Sequence, residues 1–328
     1  MTTTPFEAMQ AAVDIVGSSA HDTNKIAAAC FGVDHRGTPF CVRAVNHWPD
    51  LIAQNIGTTT RIGNASGTVH AEVACLLAAP MTAGASIAIT DPFCPNCAKN
   101  MAEAGIKTIY IDHKGFDKDF ALRRADDFSD LSLRIVERAG ISVFMINRKG
   151  GTITPILTPA PDFTPVDDDP VHVLYDVPPD RNVRTLVDLA HGFHPVAPGA
   201  AFAAAYLTGE NHPPRVVIST ARLVIGYRAG AASDQLEMHD MDTGKYSFIS
   251  EPVNRLLMYA RAQGERIDSA CLVSSRIPTA REQVNLVAAD LTTLFVLDPH
   301  AVRDSGAVAA WAQLTRAGIL RMLKYDKS

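Results

Sequence analysis

Two short segments constrain this chain more than anything else in it: His70-Ala71-Glu72 and Cys94-Pro95-Asn96-Cys97, whose first cysteine lies 22 residues past Glu72. An imidazole and two thiolates suit a tetrahedral ion such as Zn²⁺, and three protein donors leave a fourth position open. The donors meet only if the chain turns back between them. Val69 to Ala79 reads as a helix stopped by Pro80, Ser86 to Ile89 as a buried strand, and Pro95 to Ala104 as a helix ended by Gly105. Both donor segments therefore stand at helix starts, whose positive ends favour thiolates and anionic oxygen. Glu72 is too close to His70 to share its ion easily, and is placed to reach a water on that ion instead. A redox pair is the competing reading of Cys94 and Cys97, and it leaves His70 and Glu72 unexplained.

The surrounding pattern alternates strand and helix. Phe6 to Val16 has helical spacing, and Ile26 to Val33 and Phe40 to Val45 flank Asp34-His35-Arg36-Gly37, a hairpin signal. Lys107 to Ile111 reads as a strand, Leu131 to Ala139 as a helix closed by Gly140, and Ile141 to Ile146 as the last strand. Such alternation predicts an α/β domain with parallel crossovers, three layers deep, ending near Gly151. Residues 1–153 are assigned to it. Residues 154–180 carry seven prolines and Asp167-Asp168-Asp169, and read as an extended, solvated acidic linker in which Val171 to Tyr175 is able to pair as an edge strand.

Composition narrows the class. The 328 residues are 47% hydrophobic and 20% charged, an ordinary globular balance. A net charge of −5 and the lack of a clear basic stripe make nucleic acid an unfavoured partner. No apolar run reaches the roughly 20 residues of a membrane span. The start, Met1 to Glu7, has neither the basic nor the apolar part of an export signal, so the expected home is a reducing cytoplasm. Of the six cysteines, Cys30, Cys41, Cys75 and Cys271 sit in apolar runs and read as core. Arg123-Arg124 beside Asp126-Asp127 reads as a solvated helix face, and His191 and His194 have no neighbouring cysteine or acid.

The His-x-Glu and Cys-x-x-Cys pattern resembles the zinc-dependent cytidine and deoxycytidylate deaminase superfamily, over roughly residues 5 to 150. Cys94 to Lys99, then Ala104-Gly105-Ile106-Lys107 and Tyr110, is most similar to the deoxycytidylate branch. The closing helix and strand resemble branches in which the last two strands run parallel. The resemblance implies a three-layer α/β/α cytidine deaminase-like fold and one Zn²⁺ per chain on His70, Cys94 and Cys97. It also implies Glu72 as the catalytic proton shuttle and substrate contacts from Asn46, Thr68 and Ala71, with Gly63 to Thr68 as a substrate-facing loop. The implied reaction is hydrolytic deamination of a base, nucleoside or nucleotide. A cytidine- or deoxycytidylate-like small molecule comes first; a purine (guanine or adenosine, RNA included) comes second. One departure bears on the pocket floor: Asp91-Pro92-Phe93-Cys94 has phenylalanine where the family has proline. From outside enzymology, the alternative is a non-catalytic protein that binds a nucleotide or a partner around a structural zinc. Glu72 speaks against it, because a structural ion needs no proton shuttle.

Residues 181–328 echo the first part. Arg316-Ala317-Gly318-Ile319 matches Arg138-Ala139-Gly140-Ile141, and Leu294 to Asp298 matches Thr108 to Asp112. Asn254 to Ala260, Ala270 to Val273 and Thr279 to Ala289 supply the intervening helix, strand and helix. The histidine and cysteine positions are missing, so the expectation is a tandem duplication with a degenerate second copy. Such a chain is a pseudo-dimeric monomer or pairs again as a homodimer. The second copy is expected to help close the active site, with Arg276 and Arg281 as its candidates.

Overall fold

The computed structural model describes residues 2–122, 125–178, 180–192, 200–209, 213–228 and 247–325. Arg123, Arg124 and His194 lie outside the described residues. The first helix, α1 (Pro5–Ile15), starts on a capping box: Glu7 N donates to Thr4 Oγ1, and Thr4 N donates to Glu7 Oε2 at 2.8 Å. β1 (Ala27–Val33) and β2 (Pro39–Val45) form the antiparallel hairpin the sequence predicts. Its turn is held by Asp34 Oδ1, which accepts from Arg36 N and Thr38 N.

Strand alternation on β1 separates two cores. Ala27, Ala29 and Phe31 face Ala8, Met9 and Ala12 of α1, while Ala28 and Cys30 belong to the core on the opposite side. That opposite side carries α2 (Ala71–Ala78), α3 (Pro95–Glu103) and α4 (Leu133–Arg138), which alternate with β3 (Ser86–Ile89), β4 (Thr108–Asp112) and β5 (Ser142–Asn147). β3, β4 and β5 run parallel, and β1 is antiparallel to β3. The pair expected to close the domain in parallel, β4 and β5, does so.

The sheet does not end at β5. β6 (Thr152–Leu157) pairs antiparallel with β5 as a sixth strand, so residues 154–157 are not linker. Gly151 takes φ +64° and Gly150 N donates to Asn147 Oδ1, which reverses the chain in a few residues. Pro155 is tolerated because β6 is an edge strand. The acidic stretch is not uniformly solvated either. Asp169 is buried and pairs with His172, and β7 (His172–Leu174) joins the second sheet at its edge.

The second sheet has the order β7-β9-β8-β12-β13-β14, where β8 is Phe202–Thr208, β9 Arg215–Thr220, β12 Arg266–Ile277, β13 Thr293–Val302 and β14 Arg321–Lys324. A two-stranded ribbon, β10 (Arg222–Leu223) with β11 (Ile249–Ser250), lies outside it. The run β9-β8-β12-β13-β14 repeats β2-β1-β3-β4-β5 in order and direction: two antiparallel pairs, then two parallel ones. α5 (Val183–Gly192) covers the outer face, and α6 (Pro252–Ala262), α7 (Ala280–Ala288) and α8 (Ser305–Arg316) lie on the inner side. The architecture is thus mixed α/β with two six-stranded sheets. Among the described residues no helix is long and apolar enough to cross a membrane.

The inner helices of the two halves pack on each other and share one apolar core. Their burial shows it: Cys97 to Ala102 of α3 and Glu282 to Val287 of α7 are buried without a break, so no face of either helix is left to water. Close approach also fixes Gly63. It has φ +55°, and an added Cβ would collide with the carbonyl oxygen of Gly306 across the junction.

Charged groups are sealed into the same junction. Arg255 of α6 is fully buried; it donates to the carbonyls of Thr220 (2.7 Å) and Asp169 (2.6 Å) and to Glu103 Oε2 of α3 (3.4 Å). Arg222 donates to the same Glu103 oxygen at 3.3 Å. Removing one member of such a set strands the others in low dielectric. Arg255→Ala is expected to cost about 3–5 kcal/mol of stability, read as a lower urea midpoint; an unchanged midpoint would contradict it.

Candidate functional site

α2 and α3 begin side by side, and each start places a donor. His70 is the N-cap of α2 and Cys94 the N-cap of α3, and neither side chain caps its own helix. Pro95 sits at the first position of α3, where its missing N–H costs nothing, and Cys97 follows one turn in. His70 Nδ1 lies 3.5 Å from Cys94 Sγ and 3.3 Å from Cys97 Sγ, and the two sulfurs are 3.6 Å apart. Bonds of about 2.0–2.3 Å in a tetrahedral zinc site give ligand-to-ligand edges of about 3.5–3.8 Å. The triangle therefore has the dimensions a zinc ion needs. Its donor set also fits, and it is the group of three such residues found among the described residues.

The two thiols divide one charge. The hydrogen bond with Cys97 holds the Cys94 thiol well below its ordinary range, with His70 adding to the effect, while burial pushes the Cys97 thiol well above it. Glu72, in the first turn of α2, is 3% exposed, and its Oε2 has no hydrogen-bond partner. Burial pushes its carboxyl up from the usual range. A buried carboxylate oxygen without a donor is costly.

The remaining sequence candidates are placed as follows. Ala71 is fully buried at the start of α2. Thr68 is buried; its hydroxyl lies 3.0 Å from Ser66 Oγ. Asn46 is one residue from His47, whose backbone bridges Val69. The Asn46 amide is engaged locally: its Oδ1 accepts from Ser19 Oγ and Ile26 N, and its Nδ2 donates to the Asn24 carbonyl. Phe93, directly before Cys94, is buried edge-on against Phe128 at 5.3 Å.

Of the two arginines singled out in the second half, Arg281 reaches across the junction. Arg281, in the first turn of α7, donates to the Thr68 carbonyl (2.6 Å) and to Ser66 Oγ (2.9 Å), and sits close enough to feel the charge of Cys94 and Cys97. It thus ties the segment leading into His70 to the other half. Arg276 pairs instead with Glu251 at 2.8 Å. At the positions matching the metal donors, the second half has Glu251 as the N-cap of α6, Thr279 as the N-cap of α7, and Glu282 one turn in. Glu282 closes a capping box with Thr279 and accepts from Val253 N at 2.9 Å, so these groups are satisfied by internal hydrogen bonds.

Sequence reasoning missed a cavity of about 330 Å³ between the halves. It does not include the metal donors, but it reaches Asn96, between the two cysteines, and Arg281. Lys99, two residues past Cys97, lines it and donates to the carbonyls of Ser247 and Ile249, both at 2.9 Å. Burial, with the charge of Arg303, pushes the Lys99 amine down to about 8. From the sequence alone Lys99 and Glu103 of α3 read as an ordinary polar helix face.

No family model matches this chain, and no curated protein matches it. Among solved structures, a dCMP deaminase from the cyanophage S-TIM5, in complex with dCMP and dUMP, is similar at 20% identity over 42% of this chain and 93% of that one, with a TM-score of 0.30. The apo form of that enzyme is similar at 20% identity over 43% and 96%, with a TM-score of 0.28.

Proposed function

We propose that the chain is a zinc-dependent hydrolase that removes an amino group from a nucleobase, nucleoside or nucleotide, with a cytidine- or deoxycytidylate-like compound as the leading substrate. The observation that carries this reading is Glu72 Oε2, buried and unpartnered beside a donor triangle of zinc dimensions. His70, Cys94 and Cys97 would hold the ion, and zinc bound there would supply an acidified water at neutral pH. Glu72 does the proton work. Its carboxylate takes a proton from the attacking water and delivers it to the ring nitrogen; it then takes the remaining proton from the added hydroxyl and passes it to the amine, so that the C–N bond breaks and ammonia leaves as the carbonyl forms. Burial keeps bulk water from competing for these transfers.

The second half is read as a degenerate copy of the first, on the shared strand order and the helix positions just described. In this reading the chain is a pseudo-dimeric monomer, and Arg281 serves in cis the role a neighbouring subunit would serve. Asn46, Thr68 and Ala71 remain the proposed substrate contacts. For Asn46 this requires the amide to share or exchange its bonds to Ser19, Ile26 and Asn24.

The test is ammonia release by the zinc-loaded full chain from a panel of cytosine, guanine and adenine bases, nucleosides and monophosphates. Release from at least one member, lost on chelation and restored by zinc, supports the reading and names the ring. No release from any member, with zinc bound at one per chain, overturns it in favour of a structural zinc.

A further inference from the structure

The cavity between the halves has a lining whose charges do not cancel. Five cations line it: Arg61, Lys99, Arg255, Arg281 and Arg303. Its three carboxylates are Glu103, Glu251 and Asp304, and each is already engaged. Glu103 pairs with Arg222 and Arg255, Glu251 with Arg276 and Arg303, and Asp304 caps α8 through Ala307 N. Three of the cations find only neutral acceptors among the described residues. Lys99 donates to two carbonyls, Arg281 to a carbonyl and a hydroxyl, and Arg61 to the Asn64 carbonyl. Arg281 and Lys99 also feel the charge of Cys94, and Arg61 is exposed, but the cations still outnumber the carboxylates of the lining five to three, an excess that a bound anion would offset.

A second set of atoms points to hydroxyl groups. Glu103 and Ser250 line the same cavity, and their Oε1 and Oγ atoms are buried with no hydrogen-bond partner. Glu103 is 8% exposed and Ser250 4%. A carboxylate oxygen without a donor asks for an O–H or N–H from a ligand. Asn64, Asn96, Asn100 and Asn254 add amides that both donate and accept. No aromatic ring lines the space among the described residues, so it offers no stacking surface for a flat base.

We infer that this cavity is a binding site for a phosphorylated sugar, built jointly by the two halves. The phosphate is held by Lys99, Arg281 and Arg61, and the sugar hydroxyls by Glu103 Oε1 and Ser250 Oγ. Arg and Lys are the residues that recognise phosphate, by fork and by point charge respectively. The volume of about 330 Å³ accommodates a pentose phosphate. The site stands apart from the metal donors, and binding to it needs no turnover. The sugar phosphate has two sources: a part of the substrate whose base reaches the metal, or a separate molecule.

The experiment is calorimetric titration of the zinc-loaded full chain with ribose 5-phosphate, and with ribose as the uncharged control. Saturable binding of the phosphorylated sugar at one per chain is expected, with ribose at least about tenfold weaker. Arg61→Gln and Lys99→Gln should each weaken ribose 5-phosphate by about tenfold or more, with melting checked to show that the variants stay folded. No saturable binding overturns the inference, as does equal binding of the two sugars or undiminished binding by both folded variants. In a deamination assay, ribose 5-phosphate that raises KM alone marks the substrate's own moiety, and ribose 5-phosphate that changes kcat marks a separate ligand; both support the site. Binding without any deamination would leave this inference standing and remove the proposed reaction, while deamination without binding would do the reverse.

Discussion

Glu72→Gln is expected to lower ammonia release by about 10²–10⁴-fold while zinc content stays at one per chain. The amide keeps the size and shape of the carboxyl and cannot accept and return a proton. His70 and the two cysteines lie outside the change, so the metal stays. Stability gives an independent check. Glu72 Oε2 is buried with no partner, and burial disfavours the charged carboxylate. Removing that charge takes away a desolvation cost, so the melting temperature should hold or rise. A residue kept for structure would show the opposite, with lost stability and retained rate. Steady-state ammonia release, metal analysis and a thermal melt on one preparation decide between them. A variant within tenfold of the wild-type rate would remove Glu72 from the mechanism.

What the sequence reveals here depends on how local the physics is. The donor triangle was legible because its logic is local: His70 and Cys94 are helix caps, Cys97 lies one turn further, and one strand between them closes the distance. The parallel pairing of β4 and β5 and the matching elements of the second half followed from apolar runs and their glycine stops, Gly140 and Gly318. β6 is hidden in the sequence by the prolines of the 154–180 stretch, although an edge strand accommodates Pro155. Asp169 was read as solvated because its partners, His172, Thr220 and Arg255, are assembled only by the fold. The cavity was out of reach for the same reason. Lys99 and Glu103 look like an ordinary polar helix face until α6 and the β11 ribbon are placed against it.

That dependence makes the halves inseparable, and cutting the chain should show it. A fragment ending at residue 160 keeps all three metal donors, Glu72 and the first sheet. It also loses whatever covers the inner faces of α2 and α3. Both helices are buried on every side in the full chain, over Ala71 to Leu77 and Cys97 to Ala102. The cut would expose Lys99 without its two carbonyl acceptors and Glu103 without Arg222 and Arg255. The hydrogen bonds and ion pairs that hold these groups in place are lost with the second half, against a total domain stability of about 5–15 kcal/mol. The apolar surface uncovered on α2 and α3 adds to that loss and favours aggregation. The fragment is therefore expected to be insoluble, or to lack a cooperative melt and to bind zinc without turnover. Co-expression with residues 161–328 should restore a one-to-one complex, because the junction needs proximity and not the peptide bond between the halves. Gel filtration, thermal melting and ammonia release on the fragment, the co-expressed pair and the full chain measure this directly. A monomeric fragment with a cooperative melt and the rate of the full chain would show that the second half is an appendage and that Arg281 holds nothing the reaction needs.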